Sequence, residues 1–161
     1  MSNVQSMLTI AAMILLAIIS LRFNSAVTET SNAETNNKVY LTAFSLADNL
    51  IEEIKSKSFD QTTVNFPTTN PASLTPSDSL GPDSGEVYPY YNDIDDYNGF
   101  QDTITAPYFE TYYVSCSVQY VSANDPDEVS STQTFYKKVS VTVSSPFIDH
   151  SVYLSSIFTL K

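Results

Sequence analysis

Thirteen of the fifteen residues from Met7 to Leu21 are apolar, broken only by Thr9 and Ser20, and no charged side chain precedes Arg22. A helix made from this run is greasy on every side, whereas a soluble amphipathic helix carries a single apolar stripe. From Val4 to Phe23 the stretch is 20 residues long, and about 20 residues of helix cross the hydrocarbon core of a bilayer. Three readings compete: a cleaved signal peptide, a plain membrane anchor, or a retained helix that sits first in a membrane and later in a protein-packed core. A signal peptide has a basic start and a small-residue cleavage site. Nothing before this run is basic, and Ile18–Arg22 lacks an A-x-A pattern.

Neither proline nor glycine occurs between Met1 and Phe66, so nothing obliges the helix to stop at Arg22. Ala33, Asn37, Tyr40, Ala43, Phe44, Ala47, Leu50, Ile51 and Ile54 recur at three- and four-residue steps, the mark of a one-sided helix. Glu34–Lys38 and Glu53–Lys57 add i,i+4 pairs in the favourable order. The weak link is Thr28–Asn32, where helix propensity is poor. The spacing therefore predicts one helix from about Asn3 to Ser58, loosened near 23–32. Residues 1–28 are expected to form its apolar part, the membrane or filament core, and 29–58 an amphipathic part belonging to a globular domain, 29–161.

Residues 60–107 change character. Six of the eight prolines and all three glycines lie there, with eight acids and no base. They are expected to form a long loop region. Beyond it, from 108 to 161, the pattern has period two. Tyr112, Val114, Cys116, Val118 and Tyr120 share one face. Phe135, Val139, Val141 and Val143 share another, and Val152, Leu154, Ser156, Phe158 and Leu160 a third. Three strands joined by turns, each with one apolar face, predict an antiparallel sheet. Such a face needs a cover, and the Tyr40–Ile54 stripe supplies it. The fold class is α+β: a long N-terminal helix whose C-terminal half packs on an antiparallel sheet, with a variable loop between.

Composition removes several function classes. Eighteen acids against seven bases give a net charge of −11, and nucleic-acid binding needs a basic stripe. The glycines, Gly81, Gly85 and Gly99, build neither a P-loop nor a dinucleotide fingerprint. One cysteine, Cys116, and one histidine, His150, exclude an internal disulfide and a cysteine zinc site. No pair of residues makes a credible acid, base or nucleophile, so an enzyme is not expected.

The order of parts resembles the type IV pilin-like family, pilins and pseudopilins, over almost the whole chain. Leu46–Phe59 is similar to the end of the helix in minor pilin-like proteins, and Tyr136–Ser145 and Val152–Ser156 to their closing strands. The family's processed N-terminus usually carries Glu at its fifth position; here that residue is Gln5. The resemblance implies a processed chain whose Met1 bears a methylated amine after a prepilin-type peptidase removes a basic leader. It implies a subunit of an extracellular filament whose core is Met1, Gln5, Met7, Ile10, Met13, Ile14, Leu16, Ile18 and Leu21. The partners would be copies of the same chain, preceded by the inner membrane and the pilus or secretion machinery. The alternative within the family is a minor pseudopilin that initiates or tips such an assembly.

No cofactor is expected, with one open question. Asp93, Asp95, Asp96 and Asn98 cluster oxygen ligands before Gly99, as calcium loops do, and some pseudopilins bind calcium in the corresponding region. The run fails the EF-hand spacing and has no Glu in the twelfth place, so an acidic turn is the favoured reading. Cys116, on the apolar face of its strand, reads as a buried inert thiol. His150 reads as a solvent-exposed turn residue.

Overall fold

In the computed structural model, residues 3–106 and 110–160 are described. Helix α1 runs Asn3–Lys55 without a break. The loosening expected near 23–32 is not found. Thr28 and Thr30 turn their hydroxyls back onto the carbonyls of Asn24 and Ala26, at 3.0 and 2.9 Å, bonds that keep these side chains within the helix rather than on competing backbone turns. The helix ends three residues before the expected Ser58. Ser56 and Lys57 close it with tighter bonds to Glu53 O and Ile54 O, at 3.0 and 3.1 Å.

The chain divides into two compact units, one ending at Lys38 and the other running Val39–Lys161, rather than at the 28/29 boundary suggested by sequence. The described residues of the first are helix alone. The second contains the rest of α1, four strands and the loops between them. The strands are β1 (Gln101–Thr105), β2 (Thr111–Tyr120), β3 (Tyr136–Ser144) and β4 (Val152–Thr159), antiparallel in the order β1-β2-β3-β4. The register sets Cys116 opposite Val141 and Val139 opposite Ser156, so one face of β2 and β3 is nearly all valine, tyrosine and cysteine.

Val39, Ala43, Ala47, Leu50, Ile51 and Ile54 of α1 are buried in one core with Tyr112, Val114, Cys116, Val118, Tyr120, Val139, Val141, Val143 and Val152. This is the α+β arrangement expected from the sequence. The covering stripe differs in detail: Val39 is inside, whereas Tyr40 and Phe44 remain 48% and 44% exposed. Small Ala43 and Ala47 bring the helix close to the sheet, and the larger aromatics are left at its flanks. The ion pair expected between Glu53 and Lys57 is replaced by bonds to the loop. Lys57 Nζ donates to Tyr91 O at 2.7 Å, and Tyr97 Oη donates to Glu53 Oε1 at 2.6 Å.

The 60–107 region contributes more than a surface connection. It supplies Leu74, Ile94, Tyr97 and Phe100 to the core and ends in β1, an edge strand absent from the sequence reading. Three short 3₁₀ turns, Gln61–Thr63, Pro71–Ser73 and Asp95–Tyr97, shape it. A backbone bridge ties its start to its end, with Ser58 N donating to Asn92 O at 3.2 Å and Ile94 N to Ser58 O at 2.9 Å. Gly99, at φ +79°, turns the chain into β1 where a side chain would strain the backbone. Where β1 stops short of β2, the loop caps the free edge. Cys116 N donates to Phe100 O at 2.9 Å and Val118 N to Asn98 Oδ1 at 3.0 Å.

Candidate functional site: an exposed apolar helix and a buried ionic cluster

Every described residue from Asn3 to Lys38 is exposed. Of the residues assigned to a filament core, Met7, Ile10, Met13, Ile14, Leu16, Ile18 and Leu21 keep between 54% and 71% of their surface open. Gln5 is exposed as well, and Thr9 Oγ1 donates to its carbonyl at 2.7 Å. Met1, the remaining member of that set, lies outside the described residues. The most apolar 18-residue window of α1 has a mean hydropathy of 2.3 and none of it is buried within the chain. Among the described residues this is the one helix long and apolar enough to cross a membrane. Its greasy surface needs lipid or protein around it, because water would leave roughly 1.5–3 kcal/mol of burial unrealised for each large side chain.

The second feature was not anticipated. Lys137 occupies an apolar-face position of β3 and is completely buried. Its ammonium group donates to Phe59 O and to Asp60 Oδ2, each at 2.8 Å, and to Asp95 Oδ1. It lies over the rings of Phe59 and Tyr120, 4.4 and 5.0 Å from their centroids. Asp60 is equally buried and is held from several sides. Its carboxylate caps the Gln61–Thr63 turn, accepting from Thr62 N at 3.1 Å, and also accepts from Thr75 N at 3.0 Å and Tyr120 Oη at 3.1 Å.

Burial alone would push the Asp60 carboxyl upward, but Lys137 and the Thr62 donors hold it well below the usual carboxylate range. Asp95 goes the other way. Burial, helped by the neighbouring Asp60 charge and opposed by Lys137, raises it to about 7. Asp93 is raised to about 7 by burial and by the charges of Asp95 and Asp96. The ionised partner of Lys137 is therefore Asp60, while Asp95 and Asp93 hold protons far more readily than surface acids do.

The candidate calcium ligands Asp93, Asp95, Asp96 and Asn98 are close in sequence but do not converge. Asp93 Oδ1 accepts from Asp95 N at 2.6 Å, and Asp96 Oδ2 from Asn92 N at 2.9 Å. Asp95 faces Lys137. Asn98 bridges the loop to the sheet, donating to Leu80 O at 2.9 Å while its oxygen serves Val118 N. Among the described residues no group of three or more acidic, histidine or cysteine side chains is arranged to hold a metal. In this structure the carboxylates of that cluster bind their own backbone and a lysine. Cys116 is buried as expected, its thiol pushed up to about 12 by burial, and His150 is exposed.

The aromatic side chains form a packed group at the loop–core junction. Tyr88 lies 4.9 Å from Phe100, and Tyr91 lies 5.0 Å from Tyr97, between ring centroids. Their tilted and edge-on contacts are those of ordinary aromatic packing. No family model, curated protein or solved structure matches the chain.

Proposed function

We propose that the chain is a structural subunit of an extracellular type IV pilus-like filament, held in the inner membrane by the apolar part of α1 before assembly. The observation that carries the reading is the pairing of an α+β unit that has its own core with an apolar N-terminal stretch of α1 that is not buried in its own chain. A simple anchor needs only the length to span. A filament core also needs side chains that pack against other helices, because lipid already satisfies the apolar demand and association must come from close contact. Ala11, Ala12 and Ala17 supply places where neighbouring helices come close, with Met7, Ile10, Met13, Ile14, Leu16, Ile18 and Leu21 filling the space around them.

The minor-subunit reading gains support from Gln5. In the family the Glu at this place meets a neighbour's N-terminal amine inside the filament. Glutamine still accepts a hydrogen bond, and its desolvation costs far less than a carboxylate's, but it cannot neutralise that amine. A subunit added in few copies tolerates this loss better than one repeated along the fibre. Electron microscopy and protein composition of sheared surface material separate the two. Thin fibres made mainly of this chain support the major-subunit reading. Fibres in which it is a trace component, or its retention in the membrane in complex with a secretion or pilus machine, support the minor one, and its retention in the membrane bound to neither fibre nor machine refutes both.

A further inference from the structure

Lys137, Asp60 and Asp95 have no part in a filament core made of helices, yet all three are buried within the domain. We propose that Lys137 and Asp95 become joined by an amide between Nζ and Cγ, formed by the folded protein itself with Asp60 carrying the protons. The inference goes beyond the filament reading and does not depend on it.

The reacting groups are already in contact. Lys137 Nζ touches Asp95 Oδ1 and, at 2.8 Å, Asp60 Oδ2, with side chains fully or almost fully shielded from water. Fixed proximity of this kind is worth effective molarities of about 10⁵–10⁸ M. The walls are the Phe59 and Tyr120 rings, so the water released has an apolar enclosure to leave and little solvent present to reverse the step. Asp95 Oδ2 is buried with no hydrogen-bond partner. A buried polar atom left unmatched is costly, and condensation removes one of the two Asp95 oxygens.

The step balances without a co-reactant. Ionised Asp60, a weak base while its donors hold it, takes a proton from the Lys137 ammonium in the rare configuration from which reaction starts, and the neutral amine attacks Cγ of protonated Asp95. A second nitrogen proton passes, through Asp60, to the departing hydroxyl, which leaves as water. The products are an amide, one water and a protonated Asp60, with no net change in charge and no oxidant or reductant. A buried cation and a buried anion are replaced by neutral groups, the direction favoured in a low-dielectric interior. The amide N–H keeps Phe59 O as its acceptor.

The test is the intact mass of the full-length protein, purified in detergent and denatured, followed by chymotryptic mapping. The expected result is a mass lower by one water than the same chain unlinked, and a branched peptide joining Asn92–Tyr97 to the segment that begins at Lys137. Asp60→Asn, which keeps both reacting side chains, should lose the linkage. An intact mass with no water lost overturns the proposal. So does a water loss that maps to linear peptides, which is cyclisation at an aspartate. A branched peptide formed as fully in Asp60→Asn as in the wild type overturns the role given to Asp60.

Discussion

Replacing Ile14 with aspartate probes the helix directly. Ile14 is 55% exposed and lies in the part of α1 that buries nothing within the chain, so the folding of 39–161 should be unchanged. In an assembled core the variant loses the packing contacts of a large aliphatic side chain, a smaller loss than transfer from water because lipid already shelters Ile14 before assembly. It also gains an isolated carboxylate at mid-helix, about 2.5–3.5 kcal/mol even where lipid can thin and the side chain can snorkel. A packed bundle of helices offers neither escape. The difference between the bilayer, where those escapes exist, and the core, where they do not, sets the loss, and about 2 kcal/mol of it already raises the concentration needed for assembly roughly thirtyfold. The assay compares wild type, Ile14→Asp and Ile14→Leu for protein in the membrane fraction and for fibres in the sheared fraction. Ile14→Asp should be present in the membrane, with an intact domain, and absent from fibres; Ile14→Leu should assemble. Normal fibres from Ile14→Asp would show that this face of the helix is not in the core.

A fragment lacking residues 1–28 should fold and sediment as a monomer, since the core of 39–161 uses no residue before Val39; polymerisation of that fragment would place the assembly surface elsewhere. Cys116 should resist thiol reagents in the native protein and react on unfolding, because it is buried and its thiol is pushed up to about 12. Asp93 gives a pH signature. Its folded pKa, about 7, exceeds the ordinary aspartate value of 3.8, so the folded state binds the proton more tightly. The stability it contributes is complete below about pH 4 and is lost as pH rises through 7. Asp93→Asn should flatten that decline in urea titrations of the same fragment, and an unchanged slope would refute the assignment.

The sequence made the periodic parts of this fold readable and hid those whose meaning depends on distant partners. The apolar run, the one-sided stretch before Ile54 and the alternating faces of β2, β3 and β4 each declare themselves within a dozen residues. β1 does not, because its residues Gln-Asp-Thr-Ile-Thr pair along an edge where only Ile104 turns partly inward. Lys137 shares the phase of Val139 and Val141, so the alternation placed it on the buried face. Its charge argued otherwise, and the carboxylates that reconcile the two lie 77 and 42 residues away. The four oxygen ligands before Gly99 were visible as a cluster. Their division among an Asx turn, a lysine and a strand edge is a property of the folded backbone.

The bridge between Ser58 and Asp93 means that the excursion it encloses has already had its ends brought together. Lengthening such a closed loop costs little, about 0.6 kcal/mol for each doubling, provided that the anchors Asp60, Leu74 and Thr75 stay in place. Residues 64–67 meet that condition, being exposed and lying between the turn capped by Asp60 and the one capped by Asn70. A tag or foreign epitope placed between Asn65 and Phe66 would be displayed outward without a toll on the core. Drift in the length of that stretch would likewise alter what the domain shows to its surroundings while leaving its fold untouched.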